Sequence, residues 1–261
     1  MEQRNRLEVI RQVLRRNKRV IVTELSREME VTPETIRRDL EKLEKEGILT
    51  RIHGGAILKE EVIQEKISFC LREQTNVESK EIIAKLAADL IPMGACVGCD
   101  ASSTAVKFLH EIRERSDVLV LTNSAKAIIE MADTKFKLLS TGGYVNRQSY
   151  SMQRGQARSM LQNYHMDLVL ISCKGLGWDG GIYDSHESEI EVKRCLIERG
   201  RQVILMLDHT KFGNTAFSRL GGLEAVDMVI TDREPDREWM EIFEKYRITV
   251  RYPKQTDVKS D

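Results

Sequence analysis

Apolar residues recur at three- and four-residue spacing through the first fifty positions, and this pattern predicts helices that each have one buried face. The stripe of the first helix consists of Leu7, Ile10, Val13 and Leu14. A second, shorter helix is predicted around Leu25 and Met29. After a tight turn, Thr32 and Pro33 predict the start of a third helix, because a hydroxyl caps free N–H groups and proline suits the first helical position.

The third helix has Ile36, Leu40 and Leu43 on one face, which leaves the opposite face to polar side chains. Two short helices around a tight turn are typical of a helix-turn-helix, whose second helix enters the DNA major groove. The β-prone stretches on either side of the following His-Gly-Gly predict a hairpin wing. The residues predicted to bind double-stranded DNA are Thr32, Glu34, Thr35, Arg37, Arg38, Lys42, Arg51 and His53. The alternative is an amphipathic surface helix with balanced charge.

The rest of the chain alternates short apolar runs with charged helical stretches. The runs are ACVGC, VLVLT, FKLLS, DLVLIS, QVILML and MVITD. Repeated strand and helix units of this kind predict a mostly parallel sheet that helices cover on both faces. The predicted fold class is α/β, with a small N-terminal winged helix-turn-helix followed by a larger, Rossmann-like, mostly parallel α/β domain.

Polar residues collect where the predicted strands end, and in parallel sheets these ends carry ligand sites. The loop after ACVGC offers hydroxyls at a helix start, which suits a phosphate or another anion. The residues predicted to bind an effector are Asp100, Ser102, Ser103, Thr104, Thr122, Asn123, Ser124, Gly142, Gly143, Arg147, Lys174 and Lys211. Among them Arg147 and Lys211 suit phosphate, whereas Asp100 and Asn123 suit sugar hydroxyls. The alternative is that the hydroxyls only cap their helices.

Charge and composition narrow the class of protein. Lys plus Arg and Asp plus Glu are both 41, so any basic surface must be local. No apolar run is long enough to span a membrane, and the charged start of the chain does not resemble a signal peptide. We therefore expect a cytoplasmic protein without a membrane partner, associated with the nucleoid when it is bound to DNA.

Two motifs are given a structural interpretation. Cys96 and Cys99 have the CxxC spacing, but residues three apart in a strand point to opposite faces, so we expect two buried thiols. The polar stretch at residues 184–187 is interpreted as a solvated loop. The five histidines are scattered, and the sequence predicts no metal site, no cofactor and no catalytic residue.

The segment VTELSREMEVTPETIRRDLEKLEKEGILTRIHGGA closely resembles the signature of the DeoR family of bacterial transcription regulators. The resemblance implies that Thr35, Arg37, Arg38 and Arg51 bind operator DNA. Later pieces, D-ASST, LTNS, STGG, K-GL and LDHTKF, resemble the C-terminal domain of that family. That domain is similar to sugar-phosphate isomerases of the ribose-5-phosphate type, so the resemblance implies a sensor of phosphorylated sugars. One departure is Ser102, where the family commonly has glycine.

These observations predict four parts. They are a winged helix-turn-helix at 1–57, a linker at 58–78, a sugar-phosphate-sensing α/β domain at 79–253 and a polar tail at 254–261. The leading hypothesis is a sequence-specific repressor of a carbohydrate-metabolism operon that acts as a homodimer or a higher homo-oligomer. A phosphorylated sugar would modulate its binding to DNA. The alternatives are an isomerase-like enzyme with an accessory helical domain, and a DNA-binding protein whose C-terminal domain only oligomerises.

Overall fold

The computed structural model describes residues 3–17, 19–46, 48–52, 54–58 and 69–253. His53, residues 59–68 of the predicted linker and the predicted tail at 254–261 lie outside the described residues. The chain divides into two compact units, residues 1–67 and residues 68–261.

The first unit combines helices with a small antiparallel sheet. Its described elements are α1 (Gln3–Asn17), β1 (Arg19–Ile21), α2 (Val22–Glu28), α3 (Pro33–Lys45), β2 (Leu49–Ile52) and β3 (Gly55–Leu58). Strand β3 lies between β1 and β2 and pairs antiparallel with both. Helices α2 and α3 form the helix-turn-helix, and β2 with β3 forms the predicted wing.

The apolar stripes of the three helices meet in one core. Its fully buried members include Ile10, Leu14, Leu25, Ile36, Leu40, Leu43 and Leu49. Each such side chain stabilises the fold by about 1.5–3 kcal/mol when it leaves water. Gly55 is required where β3 passes β1, because a Cβ atom there would lie only 2.1 Å from the Val20 carbonyl oxygen. The second glycine of the HGGA sequence is therefore a packing requirement of the wing.

The second unit alternates strands and helices. Its first half contains α4 (Phe69–Gln74), α5 (Val77–Ala88), β4 (Cys96–Cys99), α6 (Ser103–Glu111), β5 (Leu119–Thr122), α7 (Ala125–Glu130), β6 (Lys137–Ser140), β7 (Tyr144–Asn146) and β8 (Ser151–Gln153). The second half contains α8 (Arg154–Leu161), β9 (Met166–Ile171), β10 (Gly175–Leu176), β11 (Gly181–Asp184), α9 (Glu187–Arg199), β12 (Gly200–Met206), β13 (Ser218–Gly222), β14 (Met228–Ile230), α10 (Arg237–Lys245) and β15 (Thr249–Arg251).

Within residues 69–253, seven strands form one parallel sheet in the order β15-β14-β12-β9-β4-β5-β6. Helices α5, α6 and α7 pack on one face of the sheet, and α8, α9 and α10 pack on the other. The mostly parallel α/β fold with both faces covered is confirmed. A hairpin of β7 and β8 and a small antiparallel sheet of β10, β11 and β13 accompany it.

The strand β4 places its two cysteines on opposite faces of the sheet. Cys99 is buried in the core on the α5–α7 side, whereas the partly buried Cys96 packs against the core on the other side. Both thiols are free. The predicted alternation is confirmed, although only Cys99 is fully buried.

The start of the second unit differs from the prediction. Residues 69–78 were predicted to belong to a polar linker, but α4 is a helix and α5 begins at Val77. The reason is Phe69, which is fully buried and packs edge-on against Tyr150 with ring centroids 5.9 Å apart. Among the described helices, none is both long and apolar enough to cross a lipid bilayer.

Candidate DNA-binding face and effector site

Helix α3 presents its polar face to solvent at its N-terminal end. The Thr32 hydroxyl accepts a hydrogen bond from the Thr35 backbone N–H at 3.3 Å and caps the helix. Glu34 accepts a hydrogen bond of 3.0 Å from Arg37 and lies 4.0 Å from Arg38 Nε. The Arg38 side chain is 76% exposed. Because exposed ion pairs contribute about 0–1 kcal/mol, both arginines can leave Glu34 for DNA at little cost.

The wing is joined to α3 through an arginine. Arg51 donates to Glu44 on α3 from its backbone N–H at 2.9 Å and from Nε at 2.7 Å. These hydrogen bonds hold the pKa of the Glu44 carboxyl below its ordinary value. Lys42 is exposed on the same helix. Arg51 is thus fixed beside α3 with its side chain 46% exposed.

The aspartate of the TIRRDL sequence has an internal role. Asp39 is fully buried on α3 and receives a two-pronged interaction from Arg6 of α1, with Arg6 Nη2 donating to Asp39 Oδ1 at 3.3 Å. A fork of this type fixes orientation as well as distance. Arg6 and Asp39 therefore orient α3 against α1.

All of the predicted effector residues except Arg147 lie at or after the carboxyl ends of β4, β5, β6, β9 and β12, and we call the five loops that begin there the rim. Strands β4 and β9 are neighbours at the centre of the sheet, and the chain leaves them toward opposite edges. Such a switch point opens a crevice at the carboxyl edge, where α/β sheets bind ligands. The rim brings together loops that are distant in sequence.

Several rim hydroxyls are used within the loops. Ser102 and Ser124 each accept a hydrogen bond of 3.1 Å from the backbone N–H three residues later, and so cap α6 and α7. Thr122 accepts one of 3.1 Å from the Ser124 N–H. Ser103 donates at 3.4 Å to a backbone carbonyl of α4, and Thr104 is buried in the first turn of α6. The observed hydrogen bonds of Ser102 and Ser124 are thus those of the alternative given above, in which the hydroxyls cap their helices.

A buried ion network, the buried triad of Asp100, Asp184 and Lys193, lies beneath the rim. Lys193 Nζ donates to Asp184 Oδ2 at 2.5 Å and to the Ser172 carbonyl at 2.6 Å, and it lies 3.0 Å from Asp100 Oδ2. Burial disfavours the charged ammonium, but the two carboxylates raise the pKa of Lys193 above its ordinary value. Asp100 also accepts from the backbone N–H groups of Ser102 and Ser172, so both of its oxygens are engaged within the protein.

The buried triad corrects the interpretation of residues 184–187 as a solvated loop. Asp184 and Ser185 are both buried, because Asp184 is drawn inside by the Lys193 ammonium. Lys193 and Glu189 occupy α9 one turn apart, and both are buried. The first two residues of this stretch therefore lie in the interior of the second unit.

Three cations, which we call the cation cluster, are Lys174 and Lys211 on rim loops and Arg72 on α4, and the charges of Arg72 and Lys211 both act on Lys174. Burial, together with the charges of Arg72 and Lys211, lowers the pKa of Lys174 to about 8. Among the described residues, none of the three lies within salt-bridge distance of a carboxylate. The charges of Asp184 and Glu189 act on Lys174 in the opposite direction, but neither forms a salt bridge with it. Three cations without a salt-bridge partner form a site that favours an anion.

Lys80 holds in place the segment that carries Arg72 of the cation cluster. Its ammonium donates to the backbone carbonyls of Arg72 and Thr75, which fixes the end of α4. Burial lowers the pKa of Lys80 to about 8, with Asp208 acting in the opposite direction. Asp208, buried after β12, accepts a hydrogen bond from Asn76 Nδ2 at 3.0 Å. The segment from Arg72 to Asn76 is therefore bonded to two rim loops, through Ser103 after β4 and through Asp208 after β12.

Four buried polar side-chain atoms in the second unit have no hydrogen-bond partner among the described residues. They are Arg72 Nε, Asn123 Oδ1, Ser185 Oγ and Glu189 Oε1. Native proteins leave few such atoms, since each costs about 1–3 kcal/mol when it is desolvated and unpaired. Atoms of this kind around an anion-favouring cluster are expected where a ligand supplies the missing partners.

The hairpin of β7 and β8 borders the rim after β6. Asn123 donates to the Met152 carbonyl on β8 at 3.1 Å. Gly143 has φ +108°, and a Cβ atom there would lie 2.7 Å from the Gln153 carbonyl oxygen. Gly142 is also left-handed, with φ +61°. Arg147 lies between β7 and β8 with an exposed side chain, outside the cation cluster.

The sequence interpretation missed several polar residues of this region: Arg72, Asn76, Lys80, Ser185, Glu189 and Lys193. A signal existed for the last two, because Glu189 and Lys193 share a helical stripe with the buried Leu196. Charged residues on an apolar stripe indicate a buried ion site. The sequence carried no comparable signal for Arg72, because its helix has only six residues and the segment was predicted to be a linker.

Comparison with known proteins gives the family. The DeoR C terminal sensor domain matches residues 75–233, and the DeoR-like helix-turn-helix domain matches residues 6–62. The uncharacterised HTH-type transcriptional regulator YulB of Bacillus subtilis is 40% identical over 230 residues, 88% of each chain. The glycerol-3-phosphate regulon repressor of Escherichia coli is 28% identical over 249 residues, 95% of this chain and 98% of that protein.

The similarity to solved structures is weaker than the similarity to these two sequences. Ribose 5-phosphate isomerase A of Methanocaldococcus jannaschii covers 53% of this chain and 55% of its own, with 17% identity and a TM-score of 0.40, too low to argue a shared function. The matching domains are described as a sensor and a helix-turn-helix, and the two relatives are named as a transcriptional regulator and a regulon repressor, which supports the regulator over the enzyme. The chain belongs to the DeoR family of transcriptional regulators.

Proposed function

We propose that this chain represses a carbohydrate-metabolism operon, binding operator DNA through α3 and the wing, and that a phosphorylated sugar or related metabolite bound at the rim modulates this binding. The observation that carries the proposal is the presence in one chain of a capped recognition helix with exposed arginines and of a cation cluster that, in the described part of the chain, has no carboxylate at salt-bridge distance.

The DNA-binding half rests on α3. Its first two turns expose Arg37 and Arg38, and a guanidinium presents the parallel donors that fit guanine O6 and N7. Thr35 lies between the cap and these arginines, where a thymine methyl or a phosphate is within the reach of a recognition helix. Lys42 and Arg51 are exposed beside them and suit phosphate contacts.

The effector half rests on the rim. A phosphate dianion at the cation cluster would supply the counterion that Arg72, Lys174 and Lys211 lack. Asn123 Oδ1 offers an acceptor for a sugar hydroxyl. The relation to a glycerol-3-phosphate regulon repressor agrees with a phosphorylated ligand. The caps Ser102 and Ser124 hold the loops that surround this ligand.

We also propose a homodimer or a higher homo-oligomer. A single helix-turn-helix of this size makes few base contacts, and two-fold symmetric regulators bind two half-sites about one helical turn of DNA apart. The same symmetry predicts a palindromic operator.

The test is binding of the full chain to a duplex that the same chain selects from a random-sequence pool. We expect Arg38→Ala to weaken binding at least about tenfold, since a bidentate base contact contributes about 1–3 kcal/mol. The control is Arg237→Ala, which removes an exposed arginine from the second unit and should change the affinity by less than about twofold.

The effector arm adds a panel of phosphorylated sugars to the same titration. We expect at least one compound both to raise the melting temperature of the chain and to change its affinity for the duplex. Binding that is insensitive to salt would contradict the phosphate contacts. A panel without any thermal shift would favour a C-terminal unit that only oligomerises.

A further inference from the structure

Three unpartnered oxygens of the second unit belong to neutral or acidic side chains. Asn123, Ser185 and Glu189 are 3%, 6% and 8% exposed, and each keeps one oxygen without a hydrogen bond among the described residues. The amide orientation of Asn123 is fixed, because its Nδ2 donates to the Met152 carbonyl. Its Oδ1 is therefore an acceptor that lacks a donor.

The segment that carries Ser185 contacts the segment of the cation cluster that carries Lys174, since the Lys174 backbone N–H donates to the Tyr183 carbonyl at 2.9 Å. The charge of Glu189 acts on both Lys174 and Lys193, although no ion pair joins Glu189 to Lys174. Ser185 follows Asp184 of the buried triad directly. Helix α9, which carries Glu189, packs on β8, whose Met152 holds Asn123. The segments that carry the cations and those that carry these oxygens are thus joined by direct contacts, the first favouring an anion and the second offering hydrogen-bond acceptors.

We propose that Glu189, Ser185 and Asn123 read the end of the effector opposite its phosphate, and that they select hydroxyl groups and reject a carboxylate. A carboxylate and an amide oxygen can only accept hydrogen bonds, and a serine hydroxyl can donate or accept. A sugar or polyol hydroxyl supplies the donors that these atoms lack. A ligand carboxylate would instead face the Glu189 carboxylate in a desolvated site, where like charges repel strongly. The inference rests on the proposed function and names the ligand class within it.

The first test compares ligands that differ in one group. Glucitol 6-phosphate and 6-phosphogluconate differ only at carbon 1, which is a hydroxymethyl in one and a carboxylate in the other, and glycerol 3-phosphate and 3-phosphoglycerate form a shorter pair. Calorimetric titration of the full chain should show the hydroxyl member of a pair binding at least about tenfold more tightly. Equal affinity, or preference for the acid, would overturn the inference.

The second test removes the charge that rejects the acid. Glu189→Gln keeps the shape and an acceptor oxygen, so we expect the preference within each pair to fall to less than about threefold. The matched control is Glu187→Gln, an exposed residue in the same first turn of α9, which should keep the wild-type preference. A preference unchanged in Glu189→Gln would also overturn the inference.

The outcomes separate this inference from the proposed function. If phosphorylated compounds bind without discrimination, the cation cluster works as proposed and only the role of Glu189, Ser185 and Asn123 is wrong. If no phosphorylated compound binds, and inorganic phosphate does not stabilise the chain, the proposed function itself fails. Should Glu189→Gln not fold, the wild-type comparison of the two pairs still decides, and Ser185→Ala provides a second variant with an expected loss of affinity only for the hydroxyl members.

Discussion

The polar face of α3 and the rim of the second unit both use charge, but they hold it in opposite ways. On α3 the charges are exposed, and Glu34 neutralises Arg37 and Arg38 through surface pairs that water can replace. At the rim the cations are partly buried, and the cation cluster has no carboxylate within salt-bridge distance among the described residues. One surface is ready for a polyanion at little cost, whereas the other keeps an unfavourable free energy that a ligand can relieve.

This difference matters for regulation. A ligand shifts an equilibrium only by as much as its affinity differs between two states, and the relief of buried like charges provides such a differential term. Arg72 lies on α4, the first described helix after residue 58, so the ligand would engage the part of the second unit that is nearest in sequence to the wing. DNA binding by exposed arginines should depend on salt, and effector binding should depend on pH.

The largest effect should come from the buried triad. Lys193→Met leaves the Asp100 and Asp184 carboxylates buried without their cation, and we expect a loss of about 3–5 kcal/mol in the free energy of unfolding of the second unit. Both tryptophans, Trp178 and Trp239, lie in this unit and stack at 4.3 Å, so their fluorescence follows its unfolding in urea.

The matched change on the surface is Arg237→Met, which breaks an exposed pair with Glu241. It should alter the free energy of unfolding by less than about 0.5 kcal/mol. A Lys193→Met variant as stable as Arg237→Met would mean that the triad is less desolvated than its burial indicates. The contrast between buried and exposed charge would then not hold.

A smaller effect is expected on the affinity for a phosphorylated ligand when the pH rises and Lys174 loses its proton. Burial, then the charges of Arg72 and Lys211, hold the pKa of this lysine at about 8 in the free protein. A bound phosphate dianion favours the charged form and raises that pKa, so binding takes up a proton above pH 8. Affinity for a phosphorylated ligand should therefore be full below about pH 8 and fall by up to about tenfold per pH unit above it. The ligand adds no change of its own, since its phosphate is already a dianion.

Titration calorimetry from pH 7 to pH 10 measures this slope. Lys174→Gln should bind more weakly at pH 7 and show a flatter profile, with the remaining slope assigned to Lys80, whose pKa is also lowered to about 8 by burial. Lys85→Gln, an exposed lysine on α5, should keep the wild-type profile. An identical slope in Lys174→Gln and wild type would place the ligand away from the cation cluster.

The two regions also differ in how far the sequence predicted them. The cap at Thr32, the buried stripe of α3 and the wing follow from local patterns, and the structure confirms all three. Strand β1 was not predicted, because a strand of three residues is too short to show alternation. The hairpin of β7 and β8, equally short, was missed for the same reason.

At the rim the sequence predicted the loops but not their bonding. Parallel strand ends must meet at one edge, so Asp100, Asn123 and Lys174 were correctly placed on the loops of a common rim. That Asp100 binds Lys193 could not be predicted, because an ion pair between distant parts of the chain leaves no periodic signal. The assignment of individual residues to DNA and to an effector stays a prediction.

The smallest effect should come from Glu34, and it tests the exposed side of the comparison. Glu34→Gln removes the surface pairs with Arg37 and Arg38, so the free energy of unfolding should change by no more than about 0.5–1 kcal/mol, including the loss of a favourable charge in the first turn of α3. Operator affinity should rise slightly, by less than about threefold, because one negative charge near the DNA phosphates is lost. Glu41→Gln, which breaks the pair with Lys45 farther along the helix, is the control. A loss of tenfold or more in Glu34→Gln alone would instead show that the negative charge of Glu34 favours binding, as in a charge-assisted hydrogen bond from a cytosine amino group.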